Sequence, residues 1–227
     1  MIFESSLVTQ QDHKSGPYPN GERSAISIIV PVFDEGEAIR DFLHEARLHP
    51  EIGEVLLVED GSSVLCLDAA LEESRGMDLQ IRYLGLSRNV GKDRAVLTGL
   101  SSASCPDVAV MDADLQFPFE EMLRMWRLLN DHNRDIVLGV KTGYFSPWNF
   151  LYRVVSVLCC AHPPAGNLSD FVVARSPVLK EHLLSYIDAP VFSLKGVLGR
   201  ISSNMEYCPV TIVPRRRGST RMNVSML

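Results

Sequence analysis

Asp112-Ala113-Asp114, with Gln116 beyond it, is the set of residues in this chain best suited to chemistry. Two carboxylates one residue apart at an extended strand end can face the same side and share one divalent cation. Hard oxygen ligands select Mg²⁺ or Mn²⁺. Gln116 continues the alternation and offers a third oxygen, so Asp112, Asp114 and Gln116 form a candidate metal set. A lone strand-end Asp more often caps a helix or shapes a turn than carries chemistry. This pair, however, is one of a series. Polar segments follow each of four apolar runs: Pro31-Val32-Phe33-Asp34-Glu35, Glu59-Asp60-Gly61-Ser62, Ser87-Arg88-Asn89-Val90-Gly91-Lys92 and Asp112–Gln116. In open α/β sheets ligands bind beyond the carboxyl ends of the strands, so the four segments should share one rim.

The elements that must hold those segments alternate. Ile26–Val30 is a β-branched run stopped by Pro31, and Ile39, Phe42, Leu43 and Ala46 then recur with a helical period. Strands are expected at Val55–Val58, Gln80–Gly85, Val108–Met111 and Ile136–Leu138, with helices near Leu65–Glu73, Asp93–Ser102 and after Pro118. Glu120 and Glu121 suit the first turn of that last helix. Short all-apolar strands alternating with amphipathic helices predict an α/β fold with a mostly parallel central sheet and helices on both faces. From Pro147 onward the alternation loosens, which places the substrate-specific half there.

Composition narrows the classes. Of 227 residues 46% are hydrophobic and 22% charged, enough apolar content for a buried core. A net charge of −6, from 22 basic and 28 acidic residues, argues against a general nucleic-acid binder. No apolar run reaches the ~18 to 20 residues of a bilayer span. Leu151–Ala161 is too short and carries Arg153, so a packed or interfacial helix is expected. Met1–Glu22 is polar and lacks the order of a secretory signal, and residues 1–24 are expected to form a mobile leader. Five cysteines without a Cys-x-x-Cys pair predict free thiols in a reducing setting, and the six histidines show no metal-ligand spacing. Dinucleotide-binding, P-loop and nucleophile-elbow glycine motifs are all missing from the sequence.

Ile28–Glu35, Val58–Ser62, Ser87–Leu100 and Met111–Gln116 resemble, in order, successive motifs of the family 2 glycosyltransferases. Within that family the chain most resembles the dolichyl/polyprenyl-phosphate sugar transferases, from about Ile26 to Met222. The resemblance implies a GT-A-type nucleotide-sugar transferase fold: a single catalytic domain over 25–227, with a nucleotide-sugar half (25–140) and an acceptor half (141–227). It implies that Pro31, Phe33 and Glu35 line the nucleoside pocket, that Asp60 contacts base or ribose, and that Asp112, Asp114 and Gln116 hold Mg²⁺ or Mn²⁺ against the diphosphate. Phe33 is equally a candidate for ordinary core packing.

The resemblance also covers the one strongly basic stretch, Pro214–Met222, which matches the family's phosphate-closing loop at Arg215, Gly218, Thr220 and Arg221. Met222 replaces its aromatic residue. Lys141 and Arg153 lie where related transferases grip the lipid phosphate, and Asp170 could orient the acceptor or act as a base. A base is unnecessary for a phosphate acceptor and needed for a sugar hydroxyl. Three positions depart from the family pattern: Glu59 for the first acid of an Asp-Asp pair, Phe117 and Phe119 for Asp and Pro, and Lys141 for Arg. The Gln-x-x-Arg-Trp motif of processive synthases is missing, which favours single-sugar transfer.

The expected activity is inverting, metal-dependent transfer of one sugar from a UDP- or GDP-sugar to a polyprenyl phosphate. It would run at the cytoplasmic face of a membrane with peripheral membrane contact and no nucleic-acid partner. Many relatives continue past the basic loop into membrane helices. Two alternatives stay open: transfer to a saccharide hydroxyl with Asp170 as base, and a nucleotide-sugar binding protein that has lost catalysis.

Overall fold

An all-apolar strand is stable only with cover on both faces, and the alternation along these strands divides the core into two layers. A computed structural model describes residues 25–62, 79–141, 168–189, 193–198, 201 and 204–214. Its strands are β1 (Ile26–Val32), β2 (Ile52–Glu59), β3 (Gln80–Gly85), β4 (Asp107–Val110), β5 (Ile136–Lys141), β6 (Leu168–Arg175) and β7 (Met205–Val210). The helices are α1 (Gly36–Ala46), α2 (Lys92–Ser102), α3 (Phe119–Asp131), α4 (Ser176–Leu183) and α5 (Leu194–Leu198). All seven strands join one sheet in the order β3-β2-β1-β4-β6-β5-β7. β6 runs antiparallel to both its neighbours, and the other pairings are parallel.

Ile28, Val30, Val55 and Leu57 point to the face covered by α1 and α3, where Phe42, Leu43, Met122 and Trp126 pack on them. Ile29, Leu56, Val58, Val108 and Val110 point to the opposite face, under α2, α4 and α5. The expected helix near Leu65–Glu73 and the leader 1–24 lie outside the described residues.

Several boundaries differ from expectation for identifiable reasons. β1 continues through Pro31 to Val32, because Pro31 stands on the β4 side of its strand. There the ladder has already ended, with Met111 N–H donating to the Ile29 carbonyl at 3.1 Å. The donor that proline lacks is therefore not needed there. β2 begins at Ile52 rather than Val55, because its Glu54 is buried rather than exposed. The Glu54 carboxylate accepts from Ser27 Oγ at 2.6 Å, the Ser104 amide at 2.6 Å and Arg82 at 3.2 Å. β4 ends at Val110, one residue short of Met111.

Candidate active site

The Asp112–Gln116 segment follows β4, so Asp112 and Asp114 stand in a turn and not on an extended strand. Leu115 takes φ +55, a left-handed conformation unusual for a branched apolar residue. It is 4% exposed, held down by packing. That turn brings the Gln116 amide onto Asp114 Oδ1 at 3.0 Å and leaves Asp114 nearly buried. Asp112 is more open and accepts from Lys92 Nζ at 2.6 Å. The positive φ of Leu115 interrupts strict strand alternation between Asp114 and Gln116. The main-chain carbonyl of Gln116 receives the Val213 amide at 2.9 Å, so the segment that leads into Arg215 starts against this turn. Two hard carboxylates at one turn, one already holding an ammonium ion, are a donor set that fits Mg²⁺ or Mn²⁺.

The strand-end loops beside it are tied to one another. Both Asp60 oxygens accept backbone amides, Val90 at 2.7 Å and Gly91 at 2.9 Å. Burial and the neighbouring charge of Glu59 raise the Asp60 carboxyl's pKa against the pull of those two amides. Gly61 makes this contact possible. At φ +67, a Cβ there would sit 2.3 Å from the backbone of Arg88 and Asn89. Asp60 thus fixes the loop that opens α2. Pro31 is buried, Phe33 is 40% exposed and Glu35 stands at the start of α1. Exposure of Phe33 at a strand end removes the core-packing alternative and leaves an aromatic face open.

Asp170, on β6, meets the turn through lysines. Lys92 Nζ reaches Asp170 Oδ2 at 3.1 Å as well as Asp112, and Lys195 Nζ, from α5, reaches Asp170 Oδ1 at 3.0 Å. Burial pushes the Asp170 carboxyl upward, but the two ammonium ions outweigh it and hold the group below the usual carboxylate range. Lys92 is shifted upward despite its burial, because Asp112 and Asp170 both stabilise its charge. Lys141, at the end of β5, is shifted downward, first by burial and then by the like charge of Lys195.

The departures from the family motif now have structural roles. Phe117 stacks on Phe171 at 4.6 Å and lies under Lys141, 5.8 Å from its ring centroid. Phe119 packs against Phe42 at 4.9 Å in the core. Glu59 is buried and accepts from Ser62 Oγ. Lys92 and Lys195 were not singled out as site residues in the sequence. Lys92 stands in the third strand-end segment and so carried a positional signal. Lys195 carried none, because α5 is placed by a contact distant in sequence, the Leu194 amide on Asp93 at 3.1 Å. Arg153, Arg215, Thr220 and Arg221 lie outside the described residues. Glu45, His49 and Glu120 bring ligand-type atoms within 4.8 Å of one another. They do so on α1, the loop after it and α3, and Glu45 and Glu120 line one cavity with Leu115, Pro118 and Val213.

A family model described as "Glycosyl transferase family 2" matches residues 27–189, covering β1 through α4 and every strand-end segment described above. The chain belongs to glycosyl transferase family 2. It is 33% identical over 104 residues to the undecaprenyl-phosphate 4-deoxy-4-formamido-L-arabinose transferase of Salmonella paratyphi B, a match covering 44% of this chain and 32% of that protein. Equivalent proteins of other Salmonella match equally. The chain therefore spans about a third of the length of the curated relatives it matches.

Among solved structures it is similar to glucosyl-3-phosphoglycerate synthase from Mycobacterium tuberculosis in complex with Mn²⁺, UDP and glucosyl-3-phosphoglycerate. That match has a TM-score of 0.59 at 15% identity and covers 86% of this chain and 73% of the other. It is also similar to the mannosyltransferase PcManGT from Pyrobaculum calidifontis in complex with GDP-Man and Mn²⁺, with a TM-score of 0.58 at 19% identity, covering 91% and 62%. These likenesses establish the GT-A fold, and family 2 membership makes the chain a glycosyltransferase. Among the described residues no helix is long and apolar enough to cross a membrane.

Proposed function

We propose that this family 2 enzyme is inverting and metal-dependent, moving a single sugar from a UDP- or GDP-sugar to a polyprenyl phosphate. The observation that carries the acceptor assignment is Asp170 held between Lys92 and Lys195 at 3.1 and 3.0 Å. A general base works best with a pKa near the working pH. A carboxylate held low by two ammonium ions is poorly matched to removing a proton from a sugar hydroxyl. A phosphate acceptor needs no such base, since its second ionisation lies near ~6. What it needs is positive charge, and Lys92, Lys141 and Lys195 supply it around Asp170. The undecaprenyl-phosphate transferase relatives support the same class of acceptor.

In this reading Pro31, Phe33, Glu35 and the Asp60-anchored loop take the nucleoside. Asp112, Asp114 and Gln116 hold Mg²⁺ or Mn²⁺, whose charge offsets that building on the departing nucleoside diphosphate. An acceptor phosphate oxygen bonds to the anomeric carbon from the face opposite the diphosphate. The old glycosyl–oxygen bond breaks, its electron pair leaves with the nucleoside diphosphate, and the configuration inverts. Arg215, Thr220 and Arg221 close over the phosphates, and Arg153 joins Lys141 on the acceptor phosphate. A lipid acceptor places the enzyme at the cytoplasmic face of a membrane.

Thermal-shift titration tests both halves, because a binding-linked rise follows RT ln(1 + [L]/Kd). UDP or GDP should raise the melting temperature with Mn²⁺ and not with EDTA. A short-chain prenyl phosphate should raise it further, and the matching prenol should not. Equal shifts from phosphate and prenol would overturn the acceptor assignment. No metal-dependent shift with any nucleoside diphosphate would overturn the donor site.

A further inference from the structure

Lys92 makes one contact too many for a residue that serves only the acceptor. Its ammonium sits 2.6 Å from Asp112 Oδ1, an oxygen assigned above to the metal, and 3.1 Å from Asp170 Oδ2. Asp170 has a second ammonium on its other oxygen, Lys195 at 3.0 Å, whereas Asp112 pairs with Lys92. Among the described residues the charges are thus arranged asymmetrically: Asp170 is doubly countered and Asp112 singly. These four side chains are 31–37% exposed, open enough for an incoming ion to compete.

We propose that Lys92 is the resident counter-ion of the metal site, which occupies Asp112 until a metal–nucleotide complex arrives and then retains only Asp170. This inference rests on the assignment of Asp112 and Asp114 as metal ligands. A divalent ion held at Asp112 stands within a few ångströms of the Lys92 ammonium, and the repulsion between the two cations works against the 2.6 Å pair. The bare protein therefore binds free metal weakly, because each ion that enters meets a positive charge already present. A nucleoside diphosphate changes the balance by bringing its own negative charge, which the displaced ammonium and the metal share. Metal and donor then enter together. The release of Lys92 from Asp112 strengthens the positive charge around Asp170 with Lys195 and Lys141, which prepares the acceptor side only after the donor side is filled. Lys92 is in this sense a positioning residue that sets the order of binding.

Lys92→Met should bind Mn²⁺ more tightly than the parent protein when no nucleotide is present. A partly exposed ion pair is worth about 0.2–1 kcal/mol, which corresponds to about 1.4- to fivefold in affinity. Mn²⁺ alone is the probe, followed by electron paramagnetic resonance of the free ion, with circular dichroism confirming that the variant is folded. Lys141→Met serves as the control, since it removes an equal charge from the same cluster without a bond to Asp112. The two should separate most clearly in 1 M salt, where fields beyond ~3 Å are screened and only a contact partner still competes.

Expected is up to about fivefold tighter Mn²⁺ binding for Lys92→Met, a clearly smaller gain for Lys141→Met in 1 M salt, and loss of the gain on adding Asp112→Asn. Equal gains for the two lysine variants in 1 M salt would overturn the exchange and reduce Lys92 to a general field. Unchanged Mn²⁺ affinity in Lys92→Met would overturn it too, while leaving the transferase proposal standing if nucleotide-dependent Mn²⁺ binding persists. Failure of the parent protein to bind Mn²⁺ even with UDP or GDP would overturn the metal assignment itself.

Discussion

Substituting Asp170 with Asn removes one negative charge and leaves the side chain nearly the same size. In the parent protein that charge carries two ion pairs, to Lys92 at 3.1 Å and Lys195 at 3.0 Å. Both partners are about a third exposed, so each pair is worth about 0.2–1 kcal/mol after solvent screening. The two together come to about 0.5–2 kcal/mol, or roughly a 2- to 30-fold fall in kcat/KM if the lysines lose their placement on the acceptor phosphate. A general base would cost far more, about 10²- to 10⁴-fold.

The pH dependence separates the roles further. Asp170 is depressed below its ordinary value of 3.8, so its contribution to stability is fully present above that value. The contribution is lost only as pH falls through the lower native value. From about pH 5 upward the stability difference between Asp170→Asn and the parent should therefore be constant, closing below about pH 4. Likewise kcat/KM for both proteins should keep the same acidic limb near pH ~6, which belongs to the acceptor phosphate. The assay is transfer to a short-chain prenyl phosphate across pH 5–9. A loss above about a hundredfold in kcat, together with disappearance of the acidic limb, would refute the positioning role and restore Asp170 as the base.

Asp114→Asn should abolish Mn²⁺-dependent UDP or GDP binding in thermal shift while leaving circular dichroism unchanged; unaltered nucleotide affinity would remove it from the metal set. Gly61→Ala should displace the loop at 88–91, because its Cβ meets backbone at 2.3 Å and φ is +67. A stability loss of at least about 2 kcal/mol with weakened nucleotide binding is expected. Asp107→Ala should leave Trp126 Nε1–H and Arg175 without their shared partner, which now accepts from them at 2.7 and 2.9 Å. Leaving the buried Trp126 N–H unsatisfied costs about 1–3 kcal/mol and losing the partly exposed Arg175 pair up to about 1 kcal/mol more, a fall in melting temperature of about 5–10 °C. A change under 2 °C would show that the contact contributes little.

The donor half of the fold was legible because its strands are buried on both faces and therefore read as continuous apolar runs. Their polar endings, Asp60 and Asp112–Gln116 among them, mark the rim without any knowledge of contacts. What stayed hidden has physical causes. Glu54 and Arg175 interrupt apolar runs, but their buried hydrogen bonds and ion pairs let the strands continue through them. β6 and β7 escaped because Ser169, Asp170, Glu206 and Pro209 break the pattern, and pairing with β5 supplies what local propensity does not. The bulge at Gly139, where a Cβ would meet Ser169 Oγ at 2.8 Å, shifts the register of β5 against β6 and could not be counted from spacing. Lys195 depends on Asp93 holding the start of α5, a contact across 101 residues. The acceptor side, built from such long-range contacts, is the part that a sequence conceals.

The central claim is tested most directly by product analysis. The protein would be incubated with UDP- and GDP-sugars, Mn²⁺ and an equimolar mixture of polyprenyl phosphate and free polyprenol, and the lipids resolved by mass spectrometry. The account predicts one added hexose-type unit on the polyprenyl phosphate alone, with inverted anomeric configuration, and no product with EDTA. Sugar appearing on the free polyprenol, or transfer undiminished by EDTA, would contradict it.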